Sequence, residues 1–169
     1  MHTLGEPTPT RIIAEGFSTG ASIHEATGHC VHIAFNCHNL KSVAESIRKA
    51  HPDTDLIIAA DDDWKTEGNP GMTKATEAAM SYGAKLAIPS WLENQRNEKE
   101  TDFNDLALSH GSAQVKTCIN RATPQEKEEE SAEGLQASIK CLSKLNPPEY
   151  DLIRKEEAKK LGIRTPTLD

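Results

Sequence analysis

The chain has 169 residues, of which 36% are hydrophobic and 4% aromatic, and it carries a formal net charge of -7 with a mean hydropathy of -0.59. This length fits one domain, or one domain with an appendage, and the acidic balance argues against a general basic coat for nonspecific binding of phosphates. No apolar run approaches the ~18 residues that cross a bilayer, and no secretory signal opens the sequence, so we expect a cytoplasmic protein without a membrane partner.

Four short apolar runs along the chain are typical of buried parallel strands. They cover residues 11–14, 30–35, 55–60 and 85–88. Between them lie three segments of helical length and pattern, residues 18–27, 40–50 and 70–82. Crossovers of this length demand a parallel sheet with right-handed connections. The sequence therefore predicts an α/β fold with a four-stranded parallel sheet flanked by helices.

Beyond Pro89 the pattern changes to loops and helices. We expect a polar loop over residues 91–101, two short helices on either side of Gly111, an acidic run over residues 125–133 and two more helices after it. The predicted parts of the chain are a tail (1–10), a core domain (11–120), an acidic linker (121–133) and a helical C-terminal extension (134–169). The extension is similar to the first half of a helix-turn-helix, so we expect the chain to be a fragment of a larger protein. The alternative is an ordinary C-terminal helix and tail.

Acidic residues follow the first and third predicted strands, at the point where each strand ends. Glu15 follows the first strand, and Asp61-Asp62-Asp63 follows the third. Ligands of open parallel sheets bind outside the carboxyl ends of the strands, so if the first and third strands are neighbours, these acids share one crevice. Asp61 and Asp63 point the same way in extended backbone and are candidate ligands of Mg²⁺. Glu15 is available as a general acid or base, or as a further ligand through water.

The alternative for the acidic triplet is a solvated turn that ends a strand. Three like charges at the end of a buried strand repel one another, however, and a cation offsets that repulsion. A second acidic pair, Asp102 and Asp105, lies at the next predicted helix start. Asp102 alone is a good helix cap, whereas Asp105 on the same turn could lean into the crevice.

Residues near the other helix starts are candidates for phosphate contacts. The segment 67–71 precedes a helix, and backbone N–H groups at such a position can hold a phosphate, although no P-loop lysine follows. The candidate phosphate-binding residues are Gly16, Asn69, Gly71 and Lys74. The alternative for Lys74 is a solvated surface side chain.

Three other features of the sequence have competing interpretations. The histidines and cysteines between residues 24 and 38 lack the spacing of a zinc site, so we interpret them as core or loop residues and the four cysteines as reduced thiols. Trp64, beside the acidic triplet, either stacks on a nucleobase or packs over the crevice. A receiver-like phospho-acceptor domain has a lysine at the end of a later strand. Lys85 begins its predicted strand instead, so we discount this alternative.

Four stretches of the sequence, in this order and spacing, resemble a Toprim domain. They are residues 12–16, 60–63, 68–71 and 102–106. The likeness covers about residues 11–110 and is to the Toprim module of primase and primase–helicase proteins of phages and mobile elements. It implies a Rossmann-like parallel sheet and phosphodiester chemistry that depends on Mg²⁺, with Mn²⁺ as a substitute.

The resemblance also implies roles for individual residues. The glutamate of the family corresponds to Glu15, as acid or base in proton transfer. The D-x-D pair of the family corresponds to Asp61 and Asp63, as metal ligands. Its later acidic motif corresponds to Asp102 and Asp105, as further metal ligands.

By this resemblance the domain serves primer synthesis from nucleoside triphosphates on a single-stranded DNA template, with a helicase domain or protein as a partner. Many primases place a zinc module and a basic domain ahead of this core, and here ten residues precede the first predicted strand. Two alternatives stay open: a Toprim nuclease that cuts DNA phosphodiesters, and a non-catalytic Toprim remnant that acts as a binding module.

Overall fold

The structure, a computed structural model of the chain, describes residues 1–92 and 95–125. Its strands are β1 (His2–Leu4), β2 (Thr10–Ala14), β3 (Cys30–Ile33), β4 (Asp55–Ala59), β5 (Lys85–Ala87) and β6 (Thr123–Pro124). Its α-helices are α1 (Phe17–Thr27), α2 (Leu40–Ala50), α3 (Pro70–Tyr82) and α4 (Phe103–Asn120), and a short 3₁₀ helix covers Cys37–Asn39. The predicted acidic run beyond residue 125 and the helical extension lie outside the described residues.

The six strands form one sheet in the order β1-β3-β2-β4-β5-β6. The four central strands are parallel, which confirms the predicted α/β class and the four strands read from the apolar runs. The sheet is wider than predicted because β1 and β6 add antiparallel strands at its two edges. These edge strands are too short to show a hydrophobic period, so the tail and linker segments that hold them gave no strand signal.

Both faces of the central strands are buried, as the continuous apolar runs require. On one face, Ile13 and Ile58 pack with the apolar sides of α2 and α3. On the other face, Ile12 and Ala14 pack with Phe103 and the rest of the α4 interior. Helices on both sides of the sheet leave its carboxyl edge as the place where connections and polar side chains gather.

Two details of the helices follow from their sequence. Helix α4 is interrupted at Gly111, whose φ of 78° is in the left-handed region, so the two short helices predicted around this glycine are confirmed. No helix within the described ranges is long and apolar enough to cross a membrane.

Candidate active site

Acidic segments from two neighbouring strands meet at the carboxyl edge of the sheet. Glu15 directly follows β2, the triplet from Asp61 to Asp63 follows β4, and β2 pairs with β4 in parallel. The backbone N–H of Asp62 donates to the carbonyl oxygen of Thr101 at 2.7 Å. This contact brings the start of α4, with its own acidic pair, onto the same edge.

One oxygen of the partly buried Asp61 carboxyl group is buried and has no partner. Its Oδ1 atom makes no hydrogen bond with any residue in the described ranges. Burial is the main cause of a rise in the pKa of Asp61 from 3.8 to about 8. Four neighbouring carboxylates add to this rise: Asp102, Glu15, Asp63 and Asp105. The proposed acids thus act on one another electrostatically, and the centre of the cluster is short of positive charge.

Asp62, the middle residue of the triplet, has a different environment. The Arg96 guanidinium donates from Nη1 to Asp62 Oδ2 at 2.6 Å and from Nη2 to the Asp62 carbonyl oxygen at 2.9 Å. The side-chain amide of Asn69 donates to Asp62 Oδ1 at 2.7 Å. Asp62 is therefore an anchor for surrounding segments, which agrees with a triplet whose middle side chain points opposite to its neighbours.

Arg96 links this strand end to the segment that precedes α4. Its Nε donates to the carbonyl oxygen of Glu100 at 2.9 Å, in addition to its two bonds to Asp62. Its guanidinium carbon also lies 4.2 Å from the ring centroid of Trp91 and 5.2 Å from that of Trp64. Arg96 was missed in the sequence because it lies in a polar loop, and its role depends on contacts distant along the chain.

Glu15 lies at the rim of the acidic cluster. Burial raises the pKa of its carboxyl group, and the charge of Asp63 also raises it. A hydrogen bond from the Cys37 backbone and the nearby His38 act in the opposite direction. A carboxyl group with a raised pKa is better suited to proton transfer near neutral pH than an ordinary glutamate.

Asp102 and Asp105 cap α4, which is the structural role weighed for Asp102. Asp102 Oδ1 accepts from the backbone N–H of Asp105 at 2.8 Å, and Asp105 Oδ2 accepts from the backbone N–H of Thr101 at 2.8 Å. Thr19 of α1 donates to Asp102 Oδ2 at 2.6 Å. These bonds fix both carboxylates close enough to Asp61 to raise its pKa. Capping and a share in the acidic cluster therefore coexist.

The start of α3 packs directly against the acidic triplet. A Cβ atom on Gly71 would lie 2.6 Å from the Asp61 carbonyl oxygen and 3.0 Å from Asp63 Oδ2, so only glycine allows this approach. Asn69, the N-cap, has a left-handed φ of 39° and accepts from the backbone N–H of Met72 at 3.4 Å. The positive end of the α3 dipole is thereby directed at the carboxylates.

The other two phosphate candidates have different surroundings. Gly16 is the N-cap of α1 and has no side chain to satisfy the free N–H groups there. Lys74 forms an ion pair with Glu77 at 2.7 Å along the surface of α3. The α1 start thus offers unsatisfied donors, whereas the Lys74 ammonium group has a carboxylate partner.

Carboxylate oxygens are donors of the kind that a divalent cation takes, but the described side chains are not arranged around a metal position. Across residues 1–92 and 95–125, no group of three or more His, Cys, Asp or Glu side chains is arranged to hold a metal ion. The unpartnered Asp61 Oδ1 and the raised pKa of Asp61 nevertheless show a cluster that lacks a positive charge. Carboxylate oxygens are the ligands that Mg²⁺ prefers in proteins.

The chain belongs to the Toprim family. The family model described as Toprim domain matches residues 10–113, which include the whole acidic edge and both of the strands that carry it. The match confirms the family suggested by the four sequence stretches.

Two curated relatives are proteins named DNA primase TraC, both from Escherichia coli. One is 45% identical and the other 42% identical, each over 85 residues that make up 48% of this chain. The matched segment covers 8% of the first relative and 6% of the second, so the chain spans less than a tenth of their length.

Two solved structures also align with the chain. One is the RNA polymerase domain of Mycobacterium tuberculosis primase DnaG in complex with a double-stranded DNA oligomer with a 6-nucleotide overhang, at a TM-score of 0.43 and 18% identity. The other is a DnaG primase catalytic domain bound to ssDNA, at a TM-score of 0.48 and 15% identity. The alignments cover 92% and 93% of this chain and 52% of each structure.

Proposed function

We propose that the chain is a catalytic Toprim domain for primase-type nucleotidyl transfer, which depends on a divalent metal. The observation that carries the proposal is the partly buried Asp61 carboxyl group, which lacks a partner at Oδ1 and lies among four other carboxylates. The identity of 45% to a DNA primase over 85 residues supports the same reaction class. Nucleoside triphosphates, a single-stranded DNA template and a helicase partner belong to this proposal.

Asp61 and Asp63 are the proposed first ligands of Mg²⁺, with Mn²⁺ as a substitute. Asp102 and Asp105 supply further negative charge and complete the proposed metal set. A bound metal ion of this kind neutralises triphosphate charge and lowers the pKa of an attacking hydroxyl group. The chain's own contribution is to hold the carboxylates together at the cost of their mutual repulsion.

Glu15 is the proposed acid or base. Its raised pKa allows the carboxylate to accept a proton from the attacking 3′-hydroxyl and the carboxylic acid to return one to the leaving group. Cys37 fixes the carboxyl group from the backbone, and His38 supplies a nearby charge that opposes the neighbouring acids. Proton transfer at Glu15 is therefore the step that the protein performs directly.

The helix starts at the same edge are the proposed phosphate contacts. The N–H groups that follow Gly16 at α1, and those near Asn69 and Gly71 at α3, carry the positive ends of two helix dipoles. Lys74 joins them if its ammonium group exchanges Glu77 for a phosphate. Since the whole chain is acidic, these few donors hold the triphosphate together with the metal ions.

The first test is metal binding by the purified chain, measured by isothermal calorimetry with Mn²⁺ and Mg²⁺. Replacing both Asp61→Asn and Asp63→Asn is expected to weaken Mn²⁺ binding at least tenfold, which corresponds to about 1.4 kcal/mol. The matched control is Asp55→Asn, which removes an exposed acid at the opposite end of the same strand. Equal affinity in the double variant and the wild type contradicts the proposed ligands.

A second measurement distinguishes the reaction classes. The chain is incubated with Mn²⁺, nucleoside triphosphates and a single-stranded template, and separately with supercoiled plasmid. Extension products that disappear with Glu15→Gln support nucleotidyl transfer, whereas nicked plasmid without extension supports a Toprim nuclease. Metal binding without either product, even after separate primase domains are added in trans, supports a binding module.

A further inference from the structure

The exposed aromatic side chains of the described residues are concentrated at the carboxyl edge of the sheet. They are Phe17, which is 52% exposed, Phe35, which is 60% exposed, and Trp64, which is 47% exposed. Each lies in the connection that follows a strand: Phe35 after β3, Phe17 after β2 and Trp64 after β4. We call these three residues the aromatic rim.

The aromatic rim follows three neighbouring strands. Strands β3, β2 and β4 are consecutive in the sheet, and neighbouring strands lie about 4.8 Å apart. The connections that hold Phe35, Phe17 and Trp64 therefore leave the same edge of the sheet as Glu15 and the acidic triplet, and Phe17 is the first residue of α1. Aromatic residues are only 4% of the sequence, so three exposed rings along one edge are a concentrated feature.

Phe35 occupies a conformation that costs free energy. Its φ is 64°, in the left-handed region that favours glycine and asparagine, and its backbone N–H donates to the Glu15 carbonyl oxygen at 2.8 Å. A bulky aromatic residue at such a position loses stability and gains no burial, since its side chain stays exposed. The position thus calls for an explanation other than the stability of the fold.

Trp64 lies beside two cationic side chains in a chain whose net charge is -7. The Lys65 ammonium nitrogen is 5.0 Å from its ring centroid and the Arg96 guanidinium carbon is 5.2 Å from it. Arg96 is itself fixed by its bonds to Asp62, so one of the two cations has a defined place. Both cations already have carboxylate partners, since Lys65 pairs with Glu98 at 2.7 Å and Arg96 pairs with Asp62, so the exposed ring itself is what this position offers to a stacked base.

We propose that the aromatic rim binds the bases of single-stranded nucleic acid by stacking, and so guides the strand along the acidic crevice. This inference rests on the proposed function, because it names how the same edge holds its polymeric substrate. Stacking fits this protein better than a basic groove does, since a net charge of -7 gives little general attraction for phosphates. Binding through stacking also predicts a shallow dependence of the affinity on salt concentration.

The test is the affinity of the full chain for a dye-labelled single-stranded oligodeoxynucleotide of about 12 nucleotides, measured by fluorescence anisotropy in EDTA. The rim variants are Phe17→Ala, Phe35→Asn and Trp64→Ala. Each is expected to weaken binding by roughly 5- to 100-fold, as the loss of one stacked base does. Trp64→Phe keeps a ring and is expected to retain most of the affinity.

Two controls separate stacking from damage to the fold. Leu108 lies on α4 and is 81% exposed. Leu108→Ala removes this apolar side chain and is expected to leave the affinity unchanged. Phe35→Asn is expected to keep or raise the thermal midpoint, because asparagine tolerates the left-handed conformation, while it weakens oligonucleotide binding. Lower affinity without lower stability supports the rim.

Three results overturn the proposal. The first is that the wild type does not bind the oligonucleotide. The second is that the rim variants bind within twofold of the wild-type affinity. The third is that a rim variant keeps its affinity but changes its oligomeric state in light scattering, which indicates a protein interface instead. Because the measurement is made in EDTA, it does not depend on metal binding, and Asp61→Asn with Asp63→Asn, which only reduces the repulsion of phosphates, is not expected to weaken it. Failure of the rim and failure of the proposed metal chemistry are therefore distinguishable.

Discussion

Two buried polar clusters lie at opposite ends of the central strands, and they differ in how their polar atoms are satisfied. At the amino end, Arg11 donates from Nη1 to His32 Nε2 at 3.4 Å and to Cys30 Sγ at 3.6 Å. His32 Nδ1 forms a hydrogen bond with Thr3 Oγ1 at 3.0 Å. At the carboxyl end, Asp61 Oδ1 has no partner within the described residues.

The pKa shifts at the two ends express the same difference. Burial and the charge of Arg11 lower the pKa of His32 to about 4, so a neutral ring accepts from Arg11 and donates to Thr3. Burial and surrounding acids raise the pKa of Asp61 to about 8, so without a cation the carboxyl group retains a proton. The polar atoms of the amino-end cluster have partners, whereas the carboxyl-end cluster leaves one carboxyl oxygen without a partner among the described residues.

The largest expected effect comes from replacing the unpartnered carboxyl group at the carboxyl end. Between about pH 4 and pH 8 the folded chain holds a proton on Asp61 that the unfolded chain releases, so stability falls as pH rises through this window. The pKa of Glu15 is also raised, mainly by burial, so its titration acts on stability in the same direction. Asp61→Asn is therefore expected to raise the free energy of unfolding of the metal-free chain at pH 8 by about 2 to 4 kcal/mol, and by little at pH 4.

The measurement is urea unfolding in EDTA at both pH values, followed by circular dichroism. Asp55→Asn is the control, because this exposed acid forms an ion pair with Lys85 at the other end of β4 and its loss cannot stabilise the fold in this way. A variant Asp61→Asn that is less stable than the wild type at pH 8 contradicts a strained, unpaired carboxylate.

The next effect concerns Arg96, which joins the acidic triplet to the segment that precedes α4. Arg96→Ala removes two bonds to Asp62 and one to the Glu100 carbonyl oxygen, and leaves the partly buried Asp62 without its cation. We expect a loss of about 2 to 3 kcal/mol in stability, together with weaker Mn²⁺ binding, since the backbone bond from Asp62 to Thr101 then has to hold the start of α4 to the strand end without Arg96.

Arg96→Lys keeps the charge but cannot make the forked contacts, so it is expected to restore part of the stability and less of the metal affinity. Calorimetry with Mn²⁺ and urea unfolding on the same preparations separate the two effects. Metal affinity that stays at the wild-type value in Arg96→Ala removes Arg96 from the candidate site and leaves it a structural residue.

The parts of the site that could be predicted are those with a local sequence signal. Apolar runs mark the four central strands, so the acids that follow two of them could be placed at the carboxyl edge. The pairing of β2 with β4, on which a shared crevice depends, is a property of the sheet and was only conditional in the sequence. The α4 cap and the Gly111 break also have local signals.

The remaining contacts have no such signal because they join residues distant along the chain. Arg96 reaches Asp62 across 34 positions, from a loop whose composition indicates only that it is polar. The left-handed backbone of Phe35 is not visible in a run that reads as a continuous strand. The charge deficit at Asp61 appears only after folding has brought four other acids close to it.

The smallest expected effect sharpens the comparison from the amino end. Since the pKa of His32 is lowered, the unfolded chain binds a proton that the folded chain does not between about pH 6.5 and pH 4, and stability falls as pH decreases through this window. His32→Gln keeps an acceptor for Arg11 and removes this titration. We expect the variant to be about 1 kcal/mol less stable than the wild type at pH 7, and its stability to fall less than that of the wild type on acidification.

Urea unfolding between pH 4 and pH 7 measures how the stability depends on pH. An Mn²⁺ affinity unchanged from the wild type shows that this cluster serves the fold. A weaker metal affinity in His32→Gln shows instead that the two ends of the strands are coupled.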